Sequence, residues 1–202
     1  MLKPSPSLVS GLESVRVQNQ DKFDALEQID SVVVVGSTCA GKSVVVDVIR
    51  QSYLAMHGVI EVPKRYITRP QREKDNVVEN AFVTPEEFEA KAASGEIGLH
   101  WIRKMEGDRQ ESYGFQSATE NVLPVYSGNN ALYNNPESVR PEGILKNALL
   151  LGIYAPDEVR KERLVSRSPD LLRDRPDEVA YRLGDSSENM LPHIHVLVNN
   201  HG

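Results

Sequence analysis

Hydrophobic positions along this chain alternate between two patterns. Val32-Val33-Val34-Val35 is an unbroken apolar run ending at Gly36, and Asn147 to Ala155 (NALLLGIYA) is a second. A strand that is apolar at successive positions is buried on both faces, as in a parallel sheet. Val59 to Val62, Ile97 to Arg103, Val122 to Tyr126 and His193 to Val198 read as further strands. Between them lie helical segments. Lys42 to Met56 reads as a helix stopped at His57-Gly58. Thr84-Pro85-Glu86-Glu87 opens another: threonine caps, proline takes the first turn, and Glu87 reaches back to the cap. That helix runs to Ala93 and closes at Ser94-Gly95. Pro156-Asp157-Glu158 opens a helix through Leu164, and Pro176-Asp177-Glu178 opens one to about Met190. Asn129 to Arg140 is a weaker helical candidate because of its asparagines and Pro136. Lys64 to Asn80 reads as an exposed strand and loop, and Lys104 to Ser112 and Ser166 to Arg175 read as polar loops. Strands alternating with helices imply an α/β sheet built from βαβ units. Residues 1–28 read as an extension in which Leu8, Leu12, Val15, Phe23 and Leu26, with Ile29, suit one face of one or two helices. Residues 29–202 form the domain proper.

Composition narrows the class. The chain has 202 residues, 40% hydrophobic and 26% charged, enough for one ordinary domain with a normal core. Its 23 basic and 29 acidic residues give a net charge of −6, which disfavours a general nucleic-acid binder. Cys39 is the only cysteine, so no intrachain disulfide forms and a Cys/His zinc cage lacks thiols. His193 and His195 share a face of the last strand but have no third ligand in the pattern. No apolar run is long enough to span a bilayer, and the first residues lack a signal peptide's apolar block. The expected setting is cytoplasmic, as a monomer or homodimer without membrane or nucleic-acid partners.

The chemistry starts after the valine run. Gly36-Ser37-Thr38-Cys39-Ala40-Gly41-Lys42-Ser43 fits G-x-x-x-x-G-K-[ST] between a buried strand and a helix. Glycines let backbone N–H groups curl around an anion, and the helix N-terminus adds its dipole. Lys42 is expected to reach the β- and γ-phosphates of ATP, and Ser43 to hold Mg²⁺. Cys39 reads as a small spacer. GTPase signatures N-K-x-D and D-x-x-G are absent, and no apolar strand ends in the Asp-Glu pair of a motor. A small kinase remains. Downstream, Arg65, Arg69 and Arg72 fall within eight residues, and in an extended loop they can converge on one anionic group.

In order, these features resemble the guanylate kinase superfamily over about residues 31–200. Thr68, Arg69 and Arg72 match its T-R-x-x-R motif, and Phe82-Val83-Thr84-Pro85-Glu86-Glu87-Phe88 matches its F-V-S-x-x-E-F. Trp101, Tyr113-Gly114, Ala155-Pro156, Arg163, Arg167 and Arg182 match later landmarks. The resemblance implies a P-loop parallel-sheet core flanked by helices, with an acceptor-binding insertion at about 63–122 and a lid at about 165–177. It implies that Arg69, Arg72 and Tyr113 bind an acceptor phosphate. It also implies that Arg163, Arg167 and Arg182 approach the ATP phosphates, although Arg163 is equally placed to pair with neighbouring glutamates on its helix.

The departures fall where the family reads guanine. Arg65, Asn80, His100, Phe115 and the Tyr126-Ser127-Gly128-Asn129 bend stand where guanylate kinases carry base-reading groups. A second branch, the ribose 1,5-bisphosphate phosphokinases, is similar in Arg65-Tyr66-Ile67-Thr68-Arg69, Leu99-His100-Trp101 and the Val198-Asn199-Asn200-His201-Gly202 ending. That resemblance implies an ATP- and Mg²⁺-dependent kinase acting on a ribose bisphosphate, with Arg65 suited to a second phosphate and His100 an acceptor contact or a half-buried histidine. GMP is the rival acceptor. A catalytically inactive binding module is the rival class, and the intact Lys42 and Ser43 speak against it.

Overall fold

The computed structural model describes residues 12–24, 29–56, 60–73, 75–104, 110–120, 122–129, 132, 139–141, 145–167, 169, 173, 176–184 and 191–200. The described elements are β1 (Leu12–Val17), α1 (Gln20–Asp24), β2 (Ser31–Gly36), α2 (Lys42–Met56), β3 (Ile60–Glu61), β4 (Arg65–Ile67), β5 (Asn80–Phe82), α3 (Pro85–Ala93), β6 (Ile97–Lys104), β7 (Gln110–Gln116), β8 (Leu123–Ser127), β9 (Ala148–Tyr154), α4 (Asp157–Arg167), α5 (Pro176–Leu183) and β10 (Val196–Asn200).

The main sheet has the order β1-β10-β9-β2-β8-β3. Its five strands from β10 to β3 are parallel, as the unbroken apolar runs require. Val32 and Val34 of β2 pack with Val45 and Val46 of α2 on one face. Val33 and Val35 pack on the other face with Leu150, Trp101, Tyr113 and Phe115. Burying each such valine contributes roughly 1.5–3 kcal/mol.

A second sheet, β5-β4-β7-β6, is mixed: β4 and β5 are parallel, while β7 runs antiparallel to β4 and β6. One of its faces carries Ile67, Leu99, Trp101, Tyr113 and Phe115 into the core shared with the main sheet. Its other face, with Tyr66 and Ile97, is covered by Phe88 of α3. That helix starts as its sequence dictates. The Thr84 hydroxyl accepts from the Glu87 N–H at 3.2 Å, and the Glu87 carboxylate accepts from the Thr84 N–H at 2.9 Å.

Five expectations change, one of them being that the strand within 64–80, Arg65–Ile67, is largely buried instead of exposed because it is paired on both sides. Leu12–Val17 is a strand rather than part of a helix: it pairs antiparallel with β10, saturating an edge that would otherwise expose unpaired backbone groups. Lys104 and Gln110–Ser112 belong to strands, because β6 and β7 pair from Lys104↔Gln110 inward; 105–109 lie outside the described residues. The last strand is Val196–Asn200, later than its apolar pattern indicated, since its parallel pairing with β9 sets the register. Helix α4 runs on to Arg167, taking in Ser166. The helix stop at His57-Gly58, most of the 129–140 candidate, residues 185–190 and, within the 165–177 lid, residues 168, 170–172 and 174–175 lie outside the described residues.

Candidate active site

Gly36 ends β2 at the carboxyl end of the parallel sheet, and the chain turns through 37–41 into α2. A side chain at Gly36 would stand 2.5 Å from the Ile153 carbonyl oxygen of the neighbouring strand. Cys39 and Gly41 both have positive φ, 63° and 100°. The turn therefore uses left-handed conformations at two points. The loop's hydrogen bonding is one-sided. Lys42 Nζ donates to the carbonyl oxygens of Gly36 at 2.7 Å and Ser37 at 2.9 Å. Arg160 Nε donates to that of Thr38 at 3.1 Å. An Arg163 guanidinium nitrogen donates to those of Cys39 at 3.2 Å and Ala40 at 3.4 Å. Asn200 Nδ2 also donates to Ala40, at 2.9 Å. Five successive carbonyls are thus engaged by side chains. The backbone N–H groups of Thr38, Cys39 and Gly41 have no partner among the described residues. Donors without partners next to a helix N-terminus are what an anion needs. Ser43 is exposed in the first turn of α2. A hydroxyl there suits a hard cation that also ligates phosphate oxygens.

The three arginines matched to the lid do not share one environment. Arg163 is half-buried against the loop carbonyls and donates to Asn200 Oδ1 at 3.0 Å. The helix-surface pairing open to it in the sequence is not among its described contacts. Arg167 is exposed at the end of α4, and the side chain of Arg182, in α5, lies outside the described residues.

On the small sheet, strand register sorts the remaining candidates by face. Asn80, Arg65, Phe115 and Leu99 lie in one cross-strand row, and Phe82, Ile67, Tyr113 and Trp101 in the next. These rows face the main sheet. Arg65 Nε donates to Asn80 Oδ1 at 2.8 Å, and its NH1 lies 3.5 Å from the carbonyl oxygen of Ser127. Ser127 pairs with Val34 of β2, so Arg65 reaches toward the strand that leads into the 36–43 loop. Burial pushes the Arg65 pKa below its ordinary value against the attraction of Tyr113, Glu79 and Asp75, and among the described residues no carboxylate forms an ion pair with it.

Arg69 and Arg72 are organised by Asp75. The Asp75 carboxylate takes both Arg69 terminal nitrogens, at 2.7 and 2.8 Å, and the Arg72 backbone N–H at 2.7 Å. The Arg69 hydrogen bonds hold the Asp75 pKa at about 2. Arg69 also lies over the Phe82 ring, 5.2 Å from its centroid. Tyr113 stacks on Trp101 at 5.8 Å and donates its hydroxyl to buried Glu111 at 2.7 Å. Burial and that bond push the Tyr113 pKa up.

His100 sits in the row of Gly114 and Tyr66, on the face covered by α3, with its ring edge-on to Phe88. Burial lowers its pKa, and its Nδ1 has no hydrogen-bond partner among the described residues. The structure does not bring it together with Arg65, Arg69 and Tyr113. Asp75, Glu111, Arg160 and Asn200 were missed in the sequence. Arg160 carried a signal, one turn before Arg163 on the same helix, and Asn200 fell within the Val198–Gly202 ending that resembles the ribose 1,5-bisphosphate phosphokinases, though no role was read for it there; Asp75 carried none beyond a charged loop. A cavity of about 450 Å³ lined by Asp30, Ser31, Tyr126, Lys146 and Asn147 opens at the opposite, amino-terminal end of the strands, away from the 36–43 loop.

No family model and no curated protein matches the chain. Its fold is similar to that of guanylate kinase from Anaplasma phagocytophilum, with a TM-score of 0.51 over 87% of this chain and 79% of that one, at 15% sequence identity. The likeness is one of fold. No described helix is long and apolar enough to cross a membrane.

Proposed function

We propose that this chain is an ATP-dependent kinase that passes the γ-phosphoryl group to an oxygen of a small phosphorylated acceptor, best matched by a ribose bisphosphate, and releases ADP. The observation that carries this is a pair of facing features. A loop with unpaired N–H donors ends β2, and a half-buried Arg65 without a carboxylate partner reaches toward the adjacent strand from the small sheet. A desolvated guanidinium that donates to an amide and a carbonyl oxygen, with the Glu79 and Asp75 carboxylates near enough to attract it but not paired with it, still has donors to offer an anion.

In this reading Lys42 and the loop amides hold the ATP phosphates. Ser43 would ligate Mg²⁺, which when bound screens charge on the phosphate oxygens. Arg65 and Arg72 receive the acceptor's phosphates. Arg69 is oriented beside them by Asp75, and Tyr113 borders the same face. Arg167 and Arg182 supply positive charge from α4 and α5. Phosphoryl transfer asks mainly for such positioning and charge, with water excluded.

The aromatic packing bears on the acceptor. Trp101, Tyr113, Phe115 and Tyr126 are all buried and linked ring to ring, Tyr113 to Trp101, Trp101 to Phe115 and Phe115 to Tyr126. They fill the space between the inner face of the small sheet and β8 of the main sheet, which favours an acceptor without a base to stack. The fold likeness to a guanylate kinase favours GMP as the second reading. A coupled ADP-release assay with ribose 1,5-bisphosphate, GMP, dGMP, AMP and UMP decides between them. Turnover of ribose 1,5-bisphosphate is expected. GMP turnover with kcat/KM above about 10⁴ M⁻¹s⁻¹ and none of the ribose compound would reverse the choice. ADP release with no acceptor in the panel would sink the acceptor assignment as a whole.

A further inference from the structure

We infer that Asn200, at the end of the last strand, is a positioning residue for the phosphate loop, and that Arg163 acts with it from behind the loop instead of on the ATP phosphates. This rests on the kinase reading above. Asn200 is 6% exposed and spans two partners: its Nδ2 donates to the Ala40 carbonyl at 2.9 Å, and its Oδ1 accepts from Arg163 at 3.0 Å. Arg163 in turn donates to the carbonyls of Cys39 and Ala40. The contact is tight. A side chain at Gly41 would collide with the Asn200 amide, so the second loop glycine is required by Asn200 as well as by its positive φ.

The physical consequence follows from peptide geometry. Each peptide's C=O and N–H point in nearly opposite directions. Fixing the Cys39 and Ala40 carbonyls toward α4 and β10 therefore turns the following N–H groups, those of Ala40 and Gly41, away from them. The Gly41 N–H is among the donors without a partner. Pre-orienting such donors removes ordering cost when the anion arrives. Buried Arg160, 1% exposed, holds the preceding carbonyl and also donates to Asp157 Oδ1 at 2.8 Å and to the Leu183 carbonyl at 3.3 Å. The brace thus runs from the loop to the ends of α4 and α5.

The test is calorimetric binding of MgADP to the full chain, with loop amide exchange as a second readout. The wild type is expected to bind MgADP. Asn200→Ala is expected to raise its Kd about tenfold and to speed exchange of the Ala40 amide, which donates to the Ser37 carbonyl, in the unliganded protein. Asn200→Asp keeps the side-chain shape and the Arg163 contact but loses the donor to Ala40. It serves where the alanine variant fails to fold, and its Kd is expected to rise at least as far in 0.5 M salt, where long-range repulsion is screened. A folded variant of either kind with wild-type Kd and unchanged loop exchange would overturn the inference. A lower melting temperature with unchanged Kd assigns Asn200 a purely structural role and overturns it equally. Failure of the wild type to bind MgADP is a different result: it removes the kinase reading, and this inference falls with it.

Discussion

Arg65 is the residue on which the acceptor assignment turns. Replacing it with alanine is expected to weaken binding of a bisphosphate acceptor by about 1.5–3 kcal/mol, the range for a hydrogen bond to a charged group, with the KM for ATP unchanged. Steady-state kinetics with ribose 1,5-bisphosphate measures it; an unchanged acceptor KM removes Arg65 from the site. Lys42 gives a second test. Its ammonium caps two loop carbonyls on a partly exposed turn. Lys42→Ala should abolish phosphoryl transfer while circular dichroism stays that of the wild type. Asp75 connects residue chemistry to stability. Its folded pKa of about 2 lies below the ordinary 3.8. The depressed value means the unfolded chain binds the proton more readily. The stabilisation is therefore complete above about pH 4 and is lost as pH falls toward 2. The two side chains are only 13% and 14% exposed, so the contacts of the Asp75 carboxylate with Arg69 and Arg72 together contribute about 2 kcal/mol at neutral pH. Urea denaturation of Asp75→Asn at pH 7 and pH 3 should show a stability deficit that shrinks in acid; a deficit independent of pH would contradict the ion-pair account.

Among the elements, the junction of β9, β10 and β1 depends on a histidine. His195 Nδ1 accepts the Leu150 N–H at 2.9 Å, while its backbone N–H donates to the Leu150 carbonyl at 3.0 Å and its carbonyl accepts from Gln18 at 2.7 Å. Burial, with Lys22 nearby, lowers its pKa. Facing it from the packed elements are Lys22 of the α1 segment and the Leu150 amide, and neither favours a charged ring. A protonated imidazole has no lone pair left for Leu150. Because the folded pKa is depressed, this stabilisation is present above the ordinary value of about 6.5 and lost as pH falls below it. Thermal melts of the wild type should decline from pH 7 to pH 5.5. His195→Asn, which keeps an acceptor that does not titrate, should decline less; equal slopes would exclude His195 as the cause. The apolar pattern started the last strand at His193, but the backbone pairing starts it at Val196. Local pattern does not register that His193 and Ile194 precede the ladder.

At the level of the whole molecule, the two sheets share one core. Trp101, the single tryptophan, is 1% exposed in the cluster that joins Val33 and Leu150 of the main sheet to Tyr113 and Phe115 of the small one. Its fluorescence should therefore change in the same denaturant transition as far-UV circular dichroism. An earlier fluorescence transition would mean that the small sheet opens by itself. Much of this architecture was legible in the sequence. The Val32–Val35 run, the Gly36–Ser43 loop and the Thr84–Glu87 cap each encode their conformation in neighbouring residues, so burial period, backbone freedom and capping chemistry sufficed to read them. What the sequence left open lay in contacts between distant segments. Leu12–Val17 became a strand because β10 offered it an edge. His100 parted from Arg65 because the pairing of β6 and β7 placed it in the row facing α3. Arg69 met a carboxylate six residues on, and Arg163 met the loop carbonyls and Asn200 instead of the glutamates on its own helix. The chain's local order determined most of the elements and the conformation of the 36–43 loop. Which side chains stand around that loop, and whether they face its carbonyls or its donors, was decided only by strand register and helix placement, because those bring together residues more than a hundred positions apart.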